Sequence, residues 1–410
     1  MKEKINPWFY VPTTYFAEGL PYVLVNSLVV VLYKRMNVSN DVIAFLTSWL
    51  FLPWTIKFLW GGVVDTVSTK RKWIIYTQLL MSICILLSSL FLRSPYFLFI
   101  TLVLFMIVAF FSATHDLAVD GFYMISLDDK QQAFFIGIRA FFYRLAMLFS
   151  SSVLLIYVGR LEEKTKEIVY SWSVILTIIA LIMGVLYLYH VFILPFPRND
   201  TSRRFNWTEL KDAFISYFKL EKIWIAILFI IFYRFGEAML LKITPLFMLD
   251  KIDNGGLGLS TSDYGKIYGT FGLISLISGN VIGGMFISRW GLKKCIWPMA
   301  LLLNLPDLVY VYMAYHNLLP ISYVYFLVSF EQFGYGVGTT AFMYYLVQLT
   351  DERYKTTHFA ISTSIMALGL MLPGMISGKI QMMVGYPLFF IIVCIATIPG
   401  MLLIPFLKYK

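Results

Sequence analysis

Ionisable residues interrupt several apolar runs of the sequence, and their spacing points to binding of charge and movement of protons. The densest group is Phe110-Phe-Ser-Ala-Thr-His115-Asp116-Leu-Ala-Val-Asp120-Gly-Phe-Tyr. On a helix, Asp116 and Asp120 stand four apart on one face, where two ionised carboxylates repel. One is therefore expected to carry a proton or a cationic partner, and a carboxyl that exchanges a proton inside an apolar run is a candidate coupling group. His115 joins such a relay or serves as a hydrogen-bonding core residue; both readings are open. Arg139 and Arg144 are candidate partners, although five residues apart on a helix they point about 140° away from each other.

A second group is Tyr233-Arg234-Phe-Gly-Glu237-Ala-Met-Leu-Leu-Lys242, in which Arg234 and Glu237 either neutralise each other or serve a ligand and a proton. A third, Tyr15-Phe-Ala-Glu18-Gly-Leu-Pro21, has glycine and proline able to open a helix and expose backbone. A fourth, Glu331-Gln-Phe-Gly-Tyr-Gly-Val-Gly-Thr-Thr, combines an acid with glycines suited to close packing or to ligand access, with packing preferred. Tyr15, Tyr143, Tyr233 and Tyr335 lie beside these charges and could stack on a sugar ring. In all, Lys57, Arg139, Arg144, Arg234, Lys242, Lys266 and Lys379 face Glu18, Asp116, Asp120, Glu237, Asp307 and Glu331 within apolar segments. Each such charge costs about 2.5–3.5 kcal/mol on insertion scales. Mutual pairing accounts for some of them, but a spanning helix needs no ion pair to fold.

The elements that position these groups are membrane helices. Of 410 residues, 59% are hydrophobic and 14% charged, with a mean hydropathy of +0.76; soluble chains average about 45–50% and 25%. Apolar runs near 8–32, 41–63, 73–92, 96–122, 132–158, 168–195, 223–249, 263–287, 295–314, 320–348, 357–378 and 385–406 predict twelve spans. The expected fold class is all-α, as two pseudo-symmetric six-helix bundles over 1–196 and 223–410, joined by a cytoplasmic linker at 197–222 with an amphipathic helix. No room is left for a large soluble domain. Basic residues number 19 on one set of loops and 7 on the other, so both termini and the linker are expected in the cytoplasm. The net charge of +10 thus records orientation, and nucleic acid is not an expected partner. Cys84, Cys295 and Cys394 lie in apolar runs without disulfide or metal spacing. The N-terminus is read as an uncleaved first span.

Landmarks recur between the halves. Glu18 and Glu237 differ by 219 positions, Asp116 and Glu331 by 215, and Gly61 and Gly284 by 223. Parallel repeats of this kind build transporters. The third pair heads a loop motif, Gly61-Gly-Val-Val-Asp65 with Lys70-Arg71-Lys72, and a degraded copy, Gly284-Met-Phe-Ile-Ser288-Arg289-Trp-Gly291. Glycine permits close helix approach, and acid plus base at helix ends can clasp a gate; the basic residues also set topology.

This loop signature resembles that of the major facilitator superfamily. More narrowly, Glu18-Gly-Leu-Pro21, Lys57-Phe-Leu-Trp-Gly-Gly-Val-Val-Asp65, Phe111-Ser-Ala-Thr-His-Asp116-Leu-Ala-Val-Asp120, Tyr143-Arg-Leu-Ala-Met-Leu, Tyr233-Arg-Phe-Gly-Glu237, Phe330-Glu331 and Gly338-Thr-Thr-Ala-Phe together resemble the AmpG-type muropeptide permeases. Acetyl-coenzyme A transporters are a more distant likeness. The resemblance implies proton-driven import of anhydro-muropeptides for cell-wall recycling across a bacterial inner membrane, by a monomer that needs no cofactor and rocks its two halves by alternating access. Substrate contacts would fall to Tyr15, Glu18, Lys57, Arg139, Tyr143, Arg144, Arg234 and Glu331, proton coupling to Asp116, Asp120, Glu237 and His115, and gating to Gly61, Asp65, Arg71, Gly284, Arg289 and Gly291. Glu18, His115, Arg234 and Glu237 depart from the residues usual in such permeases.

Other readings stay open. A carrier of another anionic sugar, peptide or coenzyme A-like metabolite, or an exporter, would use the same residue types. A polytopic acyl- or glycosyltransferase with His115-Asp116 as its catalytic pair is disfavoured by the repeat and by the short loops. ATP-driven pumping is excluded, because neither Gly265-Lys266-Ile nor Gly378-Lys379-Ile has P-loop flanks.

Overall fold

A computed structural model describes residues 5–61, 64, 67–197, 207–351 and 354–409, and every regular element among them is helical. Lys2, Lys4, Arg198, Arg203, Arg204, Arg353 and Lys410, which enter the loop count, and Asp65 of the gate motif lie outside the described residues. Nine helical stretches long and apolar enough to cross a bilayer come first: α1 Pro7–Arg35, α2 Asn40–Leu59, α3 Lys70–Phe91, α4 Phe97–Ser126, α5 Lys130–Thr165, α6 Ile168–Ile193, α7 Ile223–Leu249, α8 Thr261–Trp290 and α9 Leu292–Tyr315. The helix Ile321–Gln348 (α10) has 28 residues, about 42 Å at 1.5 Å per residue, enough to span although its acid, amide and glycines dilute its apolar character. A tenth apolar stretch, Thr357–Phe406, is 50 residues long. It breaks at Gly385, whose φ of 76° and ψ of 168° no helix allows. Its two parts are α11 (357–384) and α12 (386–406), which completes the expected twelve.

Several spans are deliberately irregular. Pro21 and a π-turn at Leu24–Leu28 interrupt α1, and further π-turns lie at Phe149–Leu154 in α5 and Gly265–Gly272 in α8. In α7 the backbone at Arg234 leaves helical geometry with φ −110° and ψ 11°. Such breaks free backbone groups and cluster at functional positions. Between α4 and α5, by contrast, the stop is tight: the Asp128 carboxylate accepts from Gln131 N at 2.9 Å and the Gln131 side chain answers at Asp128 N.

By packing, the chain forms two compact units, Met1–Met36 with Ile56–Phe205, and Asn37–Thr55 with Asn206–Lys410. Most of α2 therefore groups with the second unit, a division that differs from chain order. Small residues explain it: a Cβ on Gly378 of α11 would stand 2.4 Å from Asn40 O, and one on Gly374 would stand 2.8 Å from Ser48 Oγ. In the first unit, Tyr10, Ile74, Val119 and Phe122 anchor a core that packs α1, α3 and α4 together. In the second, Phe229, Tyr233, Phe342 and Tyr345 form an aromatic core, with Tyr233 and Phe342 stacked at 5.2 Å. The glycines of α10 serve backbone contact: a Cβ at Gly336 would lie 2.1 Å from Leu276 O of α8, and one at Gly334 would lie 2.0 Å from Leu302 O of α9.

The linker carries a helix, Trp207–Phe218, that buries Ala213 and Tyr217 against α11 and leaves Phe214 and Ile215 outward. Tyr217 meets Ser362 Oγ at 2.9 Å, and burial pushes its hydroxyl pKa up to about 12. Lys408 pairs with Glu221 and holds that carboxyl below its usual range, tying the C-terminal segment to the entry of α7.

Candidate functional site

In the first unit, α1, α4 and α5 bring three side chains into a closed triangle. Tyr15 Oη donates to Asp120 Oδ1 at 2.8 Å, while Arg139 Nη1 lies 3.0 Å from the same oxygen and 2.9 Å from Tyr15 Oη. The guanidinium also sits 4.8 Å from the ring centre of Tyr123 and 5.4 Å from that of Tyr15, contacts that favour a cation. One turn back on α4, Asp116 Oδ2 receives Lys57 Nζ at 2.5 Å and its carboxyl meets that of Glu18. No donor among the described residues reaches Glu18 Oε2.

The two aspartates thus have separate cations, Arg139 for Asp120 and Lys57 for Asp116, instead of drawing on Arg139 and Arg144. These pairs are not sealed. Asp120 remains 47% exposed, Arg139 28% and Lys57 27%, so an incoming anion can compete for either cation. Tyr143 faces Tyr22 with ring centres 6.3 Å apart, and its backbone lies beneath Gly19, where a Cβ would stand 2.8 Å from Tyr143 O. Arg144, the next residue, is half-buried.

His115 turns away from this group. It is fully buried and its Nε2 lies 2.9 Å from Gln78 Nε2, while Gln78 Oε1 meets His190 Nδ1 at 2.9 Å and His190 Nε2 meets Thr13 Oγ1 at 2.9 Å. This row links α4, α3, α6 and α1. Neighbours on a helix diverge by about 100°, which puts His115 on a different face from Asp116. Nothing in the sequence placed Gln78 or His190 beside it.

In the second unit, the break at Arg234 separates it from Glu237. The Arg234 guanidinium bonds to the Tyr335 hydroxyl and approaches Met366 Sδ at 3.8 Å, and no donor among the described residues reaches either oxygen of Glu237. Mutual neutralisation by a direct bond is therefore not how this pair is built. Glu237 instead meets Asp307 and Glu331, with ligand oxygens all within 4.8 Å of one another. Tyr310 Oη and Gln332 Nε2 donate to Glu331 at 3.1 Å each. Lys242 is buried and donates to Thr47 Oγ1 at 3.0 Å. Lys266 pairs locally with Asp263 at 3.0 Å, and Lys379 is exposed. Tyr233 lies in the aromatic core, only 1% exposed, so it has no face for a sugar.

At the gate motif, Arg71 caps the C-terminal end of α6: its Nη2 donates to Val191 O at 2.6 Å and its Nε to Leu194 O at 3.1 Å, with Phe196 3.8 Å beneath the guanidinium. A Cβ on Gly61 would stand 4.0 Å from the Leu117 side chain, and one on Gly284 would meet nothing within 4 Å. Arg289 is exposed and lies over Trp290 at 5.3 Å. Gly291, with φ 76°, is the joint between α8 and α9.

With twelve helical spans and these buried charges described, comparison with known proteins decides the family. The family model described as Major Facilitator Superfamily matches residues 13–371. The chain belongs to the major facilitator superfamily. It is a multi-pass membrane transporter and not an enzyme. The "Anhydromuropeptide permease" of Escherichia coli K12 is 25% identical over 95% of this chain and 77% of that protein. The "Putative transporter AmpG 4" of Rickettsia conorii is 25% identical over 96% of this chain and 94% of that protein. These names agree with the AmpG-type resemblance carried by the motifs. Among solved structures, a nucleoside transporter NupG mutant superposes with a TM-score of 0.75 at 15% identity, covering 98% of this chain and all of that one. A D-xylose–proton symporter gives 0.72 at 13% identity, covering 97% and 96%. These two likenesses concern the fold.

Proposed function

We propose that the protein is a proton-driven importer of anhydro-muropeptides, N-acetylglucosaminyl-1,6-anhydro-N-acetylmuramic acid with or without its stem peptide, carried from periplasm to cytoplasm by alternating access. The observation that carries this reading is the open Tyr15–Asp120–Arg139 triangle beside the Lys57–Asp116–Glu18 group. The lactyl carboxylate of muramic acid is a ligand for Arg139, and it must displace Asp120 to reach it. A proton arriving on Asp120 removes that competitor, so proton and anion bind together and the charge at Arg139 stays compensated. Tyr15 and Tyr123 are buried against the guanidinium and hold it in place. The proton gradient is the energy source, with no cofactor. One proton carried with a singly charged anion moves no net charge, so the pH difference drives this step, supplying about 1.4 kcal/mol and about tenfold accumulation per pH unit.

The excess of basic residues on one set of loops supports cytoplasmic termini in an inner membrane, and the chain is taken to act as a monomer. Substrate choice is tested by uptake of the labelled anhydro-disaccharide into proteoliposomes, with a free nucleoside and xylose as competitors. Competition by unlabelled anhydro-disaccharide alone supports the reading; preferential competition by either of the others removes it.

A further inference from the structure

The second unit holds a feature that the proposed transport cycle does not use. Glu237 of α7, Asp307 of α9 and Glu331 of α10 converge from three helices, with one oxygen of each inside a mutual separation of 4.8 Å. Glu237 is 0% exposed, and Asp307 and Glu331 are 1% exposed each. No donor among the described residues reaches either oxygen of Glu237 or of Asp307. Two of the three acids stand beside helix irregularities: Glu237 follows the break at Arg234, and Asp307 closes a 3₁₀ turn after Pro306. The close contact of Gly334 with Leu302 O brings α9 against α10 near Glu331.

We propose that Glu237, Asp307 and Glu331 hold a hard metal cation within the second unit. Oxygens bound to one such ion at about 2.3–2.6 Å are at most about 5 Å apart, as these are. An oxygen-only ligand set selects Na⁺ or Ca²⁺ over softer metals. Tyr310 and Gln332 orient Glu331 from behind, as outer partners of a ligating carboxylate do. Arg234 is the neighbouring cation, yet its bonds go to Tyr335 and Met366, which leaves the carboxylate oxygens free to ligate. Three buried carboxylates, two of them without donors among the described residues, require neutralisation; a metal ion satisfies all three at one point, whereas a single proton bridges only two. The other titratable groups facing the cluster are Tyr268, Tyr310 and Cys394.

The test uses the full chain in nanodiscs at pH 8, stripped with chelator into choline chloride and probed with ²²Na⁺ or ⁴⁵Ca²⁺ alone. The expected result is saturable retention of about one ion per chain with a rise in melting temperature that choline at equal ionic strength does not give. Asp307→Asn should abolish retention, and Glu331→Gln serves the same purpose should that variant not fold. Retention of neither ion by the wild-type chain, with melting that responds to pH alone, would mean that protons neutralise the cluster and overturns the proposal. No substrate is present, so this result is independent of what the protein transports.

Discussion

Arg139 and Asp120 form a 3.0 Å ion pair in which the aspartate is still 47% exposed. A pair that is made but not enclosed can be exchanged for another, and this one has Tyr15 fixing the oxygen that would be released. The arrangement separates two quantities that a sealed salt bridge would tie together, affinity for the anion and coupling to the proton.

Asp120→Asn keeps the shape and the hydrogen bond from Tyr15 but cannot cycle a proton. Equilibrium binding of the anhydro-disaccharide should stay within about threefold of wild type, while gradient-driven accumulation falls by at least about tenfold. Calorimetry on purified protein and uptake in the same proteoliposomes measure the two sides. Normal accumulation by the variant would remove Asp120 from the coupling role.

Lys57 and Asp116 test pairing against presence. Lys57→Met leaves Asp116 facing Glu18 without its cation, and uncompensated buried charge costs about 3–5 kcal/mol at full burial. With these side chains 27% and 17% exposed, about 1–3 kcal/mol is expected. Adding Asp116→Asn to Lys57→Met should recover most of the lost melting temperature, and additive losses would show that the pair is not the source.

The glycines divide by what surrounds them. A Cβ at Gly336 falls 2.1 Å from Leu276 O, whereas one at Gly284 meets nothing within 4 Å. Gly336→Ala is expected to lower stability by about 1–3 kcal/mol or to prevent folding. Gly284→Ala, in a helix interior, should gain up to about 1 kcal/mol. Thermal melting distinguishes them, and a destabilised Gly284→Ala would return that glycine to a close-packed gate.

Arg71 ties the start of α3 to the end of α6 through two carbonyls. Arg71→Ala should cost about 1–3 kcal/mol as charge-assisted bonds to a helix terminus are lost. Arg71→Lys should restore less than half, because a single ammonium cannot reproduce the fork over Phe196. Full rescue by lysine would reduce Arg71 to a simple positive charge.

The number of spans and the identity of the buried charges were legible in the sequence because hydropathy and ionisable residues are read residue by residue. Tyr15, Asp120 and Arg139 were picked out for the same reason. Their pairing was not legible: four-residue spacing puts Asp116 and Asp120 on one face, but only tertiary packing decides that Lys57 takes one and Arg139 the other. Arg234 and Glu237 looked like one turn of a continuous helix, and the backbone break at Arg234 is a local departure that periodicity cannot register. Asp307 counted as one more intramembrane acid until α9 and α10 met at Gly334. His115 went with its chain neighbour Asp116, although adjacent helical residues point in different directions. Asp65, the acid of the gate motif, lies outside the described residues, so the clasp reading there rests on sequence.

The central claim is that anion import is driven by protons through the Asp120–Arg139 exchange. Its most direct measurement is uptake of labelled anhydro-disaccharide into proteoliposomes under an inward proton gradient, with and without a protonophore. Accumulation above the external concentration that collapses to equilibrium on adding the protonophore, at unchanged external substrate, is the predicted result. Accumulation that is indifferent to the protonophore would contradict it.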